Sequence, residues 1–88
     1  MSDFDLETLA EDLPLNLPAE TLEQRICTLV RRYVDQRSPQ IARAVARHSW
    51  ALVLHPALRD QPEQVRGYCR LSWHWRLLAA QFPTGATV

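Results

Sequence analysis

The chain contains no lysine, only two glycines and only two cysteines in 88 residues. With so few glycines, and with the prolines grouped at a few places, the sequence leaves long uninterrupted stretches that favour helices. Cys27 and Cys69 lie far apart, so they do not make the framework of a disulfide-stapled miniprotein. We therefore expect both to be reduced thiols in the core of a cytoplasmic protein.

A membrane span and a signal peptide are also missing from the sequence pattern. The longest apolar run, residues 50–54, is far below the roughly 18 residues that a span needs. Asp3, Asp5 and Glu7 stand where a signal peptide would carry positive charge. We expect a small cytoplasmic, bacterial protein that does not associate with membranes.

Motifs for catalysis, metals and cofactors are absent as well. Gly67 and Gly85 alone cannot form a glycine-rich phosphate loop. His48, His55 and His74 lack cysteine or carboxylate neighbours at metal-binding spacing. A cysteine–histidine dyad across helices would also need an orienting group and an oxyanion site, to which nothing in the sequence points. We expect no metal, no cofactor and no enzymatic activity.

What the chain does have is a strong division of charge. The first 23 residues contain seven acids and no basic residue, whereas all ten arginines follow, with three acids among them. A formal net charge of zero therefore conceals an acidic beginning and a basic remainder. The flat guanidinium group of arginine suits carboxylates, phosphates and aromatic faces.

The apolar periodicity predicts an all-α fold, a small bundle of three main helices over about residues 18–36, 39–55 and 61–82. Ser38 before Pro39 is typical of a capped helix start, and so is Asp60 in the segment DQPE. Residues 1–17 are then an acidic leader, a short helix or arm, residues 18–83 the bundle domain and residues 84–88 a flexible tail.

Each helix carries an apolar face that should pack against the other two. The faces comprise Leu22, Ile26, Leu29, Val30, Tyr33 and Val34; then Ile41, Ala42, Val45, Ser49, Leu52 and Val53; and finally Tyr68, Leu71, Trp75, Leu78 and Phe82. Several alanines of the second helix should allow close approach of a neighbour. We expect Gly67 to admit a close neighbour such as Trp50, and we expect no internal repeat.

The strongest candidate site is the aromatic and arginine cluster of the third helix. Trp73 points roughly 160° away from Trp75, because each residue turns the helix by about 100°. Both indoles therefore cannot face one core, and the pattern leaves open which of them is buried. Since tryptophan, tyrosine and arginine dominate interface hot spots, we interpret the surplus as a partner-binding surface, made of Arg66, Arg70, Trp73 and Arg76.

The leading hypothesis is thus a non-enzymatic adaptor or regulator that binds another protein or a second copy of itself. In this hypothesis the leader docks on the bundle through its apolar residues, Phe4, Leu6, Leu9 and Leu13. Its acids meet Arg66, Arg70 and Arg76, and its release exposes Trp73 to the partner.

Two alternatives remain. The first is a nucleic-acid-binding helical module, because phosphate contacts come mainly from arginine and lysine, and two arginine pairs are spaced one turn apart: Arg43 with Arg47, and Arg66 with Arg70. The acidic leader counts against it, since it would compete with phosphate. The second is a homodimeric subunit in which the surplus aromatics form the seam.

Overall fold

The computed structural model describes residues 17–82, which form three α-helices and one turn of 3-10 helix. The α-helices are α1 (Ala19–Asp35), α2 (Pro39–Val53) and α3 (Pro62–Ala80), and the 3-10 turn is Pro56–Leu58. The predicted all-α bundle is confirmed. Residues 1–16 and 83–88 lie outside the described residues, so the docking of the leader and the flexibility of the tail stay predictions. Within residues 17–82, no helix is long and apolar enough to cross a membrane.

Contacts between the helices set their directions. The Tyr68 hydroxyl, near the beginning of α3, donates a 3.0 Å hydrogen bond to the carboxylate of Glu23, near the beginning of α1. Towards the other end, Tyr33 of α1 packs edge-on against Trp75 of α3 with ring centroids 4.9 Å apart. The first and third helices therefore run parallel. The second, which packs against both and joins them through short connections, runs antiparallel to them.

The core is built mainly from α2, because this helix faces a neighbour on two sides. Its alanines permit the close approach that the sequence predicts, and four of them are buried: Ala42, Ala44, Ala46 and Ala51. The other buried core residues are Leu22, Ile26 and Leu29 of α1, Ile41, Val45 and Leu52 of α2, Leu58, and Trp75 and Ala79 of α3.

Val34 is the one residue of the predicted apolar faces that is exposed within residues 17–82. Val34 is 73% exposed, because it lies about 120° around α1 from the buried Leu22, at the edge of the face. Val53, in the last turn of α2, is only half-buried.

The beginning of α2 follows the prediction. The Ser38 hydroxyl oxygen accepts hydrogen bonds from the backbone N–H groups of Gln40 and Ile41, at 3.1 and 3.3 Å, and Pro39 occupies the first turn. These bonds satisfy two of the N–H groups that a helix start leaves without an internal partner.

The predicted cap of α3 is wrong. Gln61, not Asp60, occupies the capping position, and its side chain makes no capping hydrogen bond. After the 3-10 turn ends at Leu58, the N–H of Gln61 donates to the carbonyl of Leu58 at 3.0 Å and closes a further turn. The helix therefore begins only at Pro62.

The end of α2 comes two residues earlier than predicted, because His55 enters the 3-10 turn instead. Its Nδ1 accepts a 3.0 Å hydrogen bond from the backbone N–H of Ala57. The hydrogen of the neutral ring then lies on Nε2, which donates to the carbonyl of Leu17 at 2.9 Å. His55 thereby ties the start of the described chain to the end of α2.

Candidate functional site

The two neighbouring tryptophans of α3 have opposite environments. Trp75 is 9% exposed and packs in the core, whereas Trp73 is 59% exposed. The guanidinium carbon of Arg76 lies 5.8 Å from the ring centroid of Trp73, at cation–π distance. The structure thus answers what the sequence left open, and it places two of the predicted partner-binding residues, Trp73 and Arg76, in contact at the surface.

A groove of about 300 Å³ lies between α2 and α3, beside this pair. Its lining comprises Arg43, Ala46, Arg47, Trp50 and Arg76. The small Ala46 side chain leaves the space, and its carbonyl accepts a 3.0 Å hydrogen bond from the Ser72 hydroxyl across the two helices. Arg76 therefore takes part in both features, the groove and the exposed indole of Trp73.

The groove is strongly basic. Helix α2 contains no acidic residue, and α3 contains only Glu63, in its first turn. Within residues 17–82, the guanidinium groups of Arg43 and Arg47 have no carboxylate partner. Uncompensated cations that line a concave surface raise the local concentration of anionic ligands.

Arg66 and Arg70, the other predicted partner-binding residues, are exposed one turn apart on α3 and do not line the groove. The structure therefore divides the predicted site. Trp73 and Arg76 adjoin the groove, where they meet Arg43 and Arg47 from the nucleic-acid alternative. Trp50 is a groove residue that the sequence reasoning missed.

The signal that finds Trp50 is an internal repeat, so our expectation of none was wrong. Residues 39–54 read PQIARAVARHSWALVL, and residues 62–77 read PEQVRGYCRLSWHWRL. Shifted by 23 positions, the segments match at six of 16 residues, namely the proline, both arginines, the serine, the tryptophan and the last leucine. Each copy spans one helix from its first residue.

The repeated residues lie mainly on the outer surface. We define the α2 stripe as Arg43, Arg47, Trp50 and Leu54, and the α3 stripe as Arg66, Arg70, Trp73 and Leu77. Among residues 17–82, the large hydrophobic side chains that are exposed are Trp50 at 36%, Leu54 at 52%, Trp73 at 59%, Leu77 at 50%, and Val34 of α1. All but Val34 therefore belong to the two stripes.

Two smaller expectations about α3 and the cysteines are wrong. Cys27 and Cys69 are free thiols, as expected, but both are exposed rather than in the core. Within residues 17–82, a side-chain carbon placed on Gly67 would have nothing within 4 Å, so neither Trp50 nor another described residue packs closely against this glycine.

Among the buried polar residues, His48 has the side chain most typical of a catalytic site. Its Nδ1 lies 2.7 Å from the carbonyl of Ala44, to which it donates, and its Nε2 has no hydrogen-bond partner within the described residues. Burial lowers the pKa of His48 below its ordinary 6.5, and the charge of Arg25 acts in the same direction. The ring is fully buried, so it is out of reach of a substrate at the surface.

Burial also raises the pKa of Tyr68 to about 12, and the hydrogen bond to Glu23 adds to this shift. The effect stabilises the protonated hydroxyl that joins α1 to α3. Over residues 17–82 there is no group of three or more histidine, cysteine and carboxylate side chains that could hold a metal ion.

A second, smaller groove of about 260 Å³ lies at the end of the bundle where α1 and α3 finish. Its lining comprises Tyr33, Arg37, Leu78, Gln81 and Phe82. It contains a single arginine and no repeated residue, which separates it from the basic groove.

A scan against protein-family models, a search of curated proteins and a search of solved structures each found no match to this chain.

Proposed function

We propose that this chain is a non-enzymatic protein-interaction module whose α2 and α3 stripes bind an acidic amphipathic segment of another protein. One observation carries the proposal. Nearly all of the large hydrophobic side chains that residues 17–82 expose are the tryptophans and leucines of these stripes, and they stand beside unpaired arginines.

The combination of side chains selects the class of partner. Exposed tryptophan and arginine are the residue types that carry most binding energy at protein interfaces. Each stripe joins an arginine pair to a tryptophan–leucine pair one turn apart, so it offers charge at one end and apolar surface at the other. A helix or arm with carboxylates and apolar side chains complements both ends.

Nucleic-acid binding is the second candidate, because both arginine pairs are exposed or half-exposed and lie one turn apart. Phosphates would take the arginines, and bases would stack on the indoles. Leu54 and Leu77 have no role in that mode, whereas an amphipathic protein segment buries them. This difference makes the acidic segment the better supported ligand.

Self-association through the same surface is opposed by charge. Two copies that met through their stripes would bring like-charged arginines together with no acid of α2 to offset them. The homodimer seam would therefore need a different surface from the one that the arginines occupy.

The acidic leader of the same chain is a candidate competitor of the partner segment for the two stripes. It joins the bundle at Leu17, whose carbonyl is held by His55 next to Leu54 of the α2 stripe. Five acids lie among residues 1–16, namely Asp3, Asp5, Glu7, Glu11 and Asp12. Its docking through Arg66, Arg70 and Arg76 stays a prediction.

The test measures fluorescence anisotropy of two labelled probes in the presence of the full-length chain. One probe is a synthetic helix of glutamate, leucine and alanine with its leucines in one stripe, and the other is a single-stranded oligonucleotide. We expect the peptide to bind, and its glutamine counterpart to bind at least about tenfold more weakly. The double variant Trp50→Ala/Trp73→Ala, which removes the exposed indole of each stripe, should weaken binding by about five- to thirtyfold.

Matched controls come from α1. Val34→Ala removes an exposed apolar side chain and Arg31→Gln removes an exposed arginine, both outside the stripes. These variants should bind as the unmodified chain does. Binding of the oligonucleotide in preference to the peptide, with a steep loss on adding salt, would instead establish the nucleic-acid alternative.

A further inference from the structure

The repeat carries an inference that rests on the proposed function and deepens it. We propose that the α2 stripe and the α3 stripe are two copies of one binding unit, and that the chain holds two acidic amphipathic segments at once. The two segments run in opposite directions, as those of a two-fold symmetric partner do.

The two copies agree mainly at surface positions. Four of the six identities are stripe residues at the surface, and a fifth is the proline that begins each helix. The sixth identity, Ser49 and Ser72, is buried, but the other core-facing positions differ, for example Val45 against Tyr68 and Leu52 against Trp75. Packing alone would demand similarity inside the bundle, whereas a shared ligand demands it outside.

The directions of α2 and α3 relate the two stripes in space. Because α2 and α3 are antiparallel neighbours, a shift of 23 residues in sequence corresponds to a rotation of about half a turn in space. The stripes therefore run in opposite directions, with Trp50 and Trp73 as equivalent anchors. A two-fold partner presents its two identical segments in this relation.

Each stripe has a definite length. Arg43 and Leu54, like Arg66 and Leu77, are 11 residues apart, which at 1.5 Å per residue is roughly 17 Å along the helix. About three turns of helix cover that distance. The matching segment places its carboxylates against the arginine pair and its apolar side chains against the tryptophan and leucine.

We expect the two copies to differ in their affinity for the acidic segment. Arg76, which lines the groove beside the α2 stripe, corresponds under the same shift to Val53, a half-buried apolar residue. In the groove Arg76 joins Arg43 and Arg47, so three arginines line the α2 half of the site. At the α3 half, the guanidinium group of Arg76 lies beside the Trp73 indole instead. We expect the α2 half to bind its segment several-fold more tightly.

The experiment titrates the full-length chain with the glutamate–leucine–alanine peptide in a calorimeter and counts peptides per chain. We expect two, with separable affinities. Trp50→Ala should leave only the α3 event and Trp73→Ala only the α2 event, while Val34→Ala keeps both. Paired Arg43→Gln/Arg47→Gln and Arg66→Gln/Arg70→Gln variants repeat the assignment without touching an indole.

A tandem peptide, two copies joined by a flexible linker that spans both stripes, sharpens the result. It should bind once per chain and on the order of 100-fold more tightly than the single peptide, since its second half binds at high effective concentration. Either single tryptophan variant should abolish this gain.

The outcomes separate the two proposals. A single peptide per chain, lost equally in Trp50→Ala and Trp73→Ala, overturns the two-unit inference and leaves the proposed function standing as one composite site. No binding at peptide concentrations up to the millimolar range, with circular dichroism showing a folded chain, overturns the proposed function and the inference together.

Discussion

Helices α2 and α3 share their outer residues and differ in their inner ones. Helix α2 lies between two neighbours, so its inward positions are mostly small, whereas α3 fills the space beside α1 with Tyr68 and Trp75. The inner difference follows from packing. The outer agreement does not, because an exposed tryptophan or leucine contributes little to stability and is not needed for solubility. This contrast is what assigns the stripes to binding.

The largest effect should come from Trp75, the inward indole of the pair on α3. Its replacement by alanine removes the core contact with Tyr33, and we expect a loss of about 3–5 kcal/mol in the free energy of unfolding. Trp73→Ala, on the outward face, should change it by less than about 0.5 kcal/mol.

Urea denaturation followed by circular dichroism measures both variants. Trp75→Phe, which keeps a ring in the core, should lie between them. An equal loss in the free energy of unfolding for Trp73→Ala and Trp75→Ala would show that the outward indole is a packing residue. The exposed tryptophans would then no longer support a binding role for the stripes.

A smaller effect separates the two serines at equivalent positions of the repeat. Ser72 donates its 3.0 Å hydrogen bond across helices to the carbonyl of Ala46, whereas Ser49 donates at 2.8 Å to Val45 within its own helix. We expect Ser72→Ala to cost about 1 kcal/mol. Ser49→Ala should be close to neutral, because alanine favours the helix and the lost bond is local.

The same denaturation experiment compares the serine variants, and a Ser49→Ala loss as large as that of Ser72→Ala would contradict the assignment. The serines also show that one shared residue of the repeat is structural, so that identity alone does not define the binding surface.

The smallest effect concerns His48 and pH. The folded pKa lies below the unfolded value of 6.5, so between these two values the unfolded chain binds more protons than the folded one. The free energy of unfolding should therefore fall as pH is lowered through 6.5. Over the interval from pH 7 to pH 6, this loss is less than about 1 kcal/mol.

His48→Leu, which fills the same buried position without a titrating group, should remove this part of the pH dependence. His74→Gln at an exposed position is the matched control and should retain it. An unchanged slope in His48→Leu would show that the buried ring is not the group that titrates.

The number and approximate bounds of the helices were predictable from the sequence, because apolar spacing and prolines act on local structure. Ser38 caps α2 as its sequence position predicts, since its bonds reach only two and three residues ahead. Asp60 does not cap α3, because the turn closed by the hydrogen bond from the Gln61 N–H to the Leu58 carbonyl places Gln61 at the capping position.

The candidate site was only partly predictable. Trp73 and Arg76 were identified from an excess of aromatic residues on one helix. Trp50 was missed because residues 50–54 form a continuous apolar run, which suggests that all five side chains are buried. Five consecutive residues point to every side of a helix, however, and Trp50 and Leu54 are exposed. The groove itself depends on the packing that places Arg76 beside Arg43 and Arg47, and only the folded chain shows it.

The most direct test of the two-unit account is a ¹H–¹⁵N spectrum of the full-length chain, recorded while the acidic peptide is added. It follows the indole signals of the three tryptophans. The account predicts that the signals of Trp50 and Trp73 shift at two distinct affinities, while that of Trp75 stays in place. A shift of only one outer indole, or of neither, would contradict it.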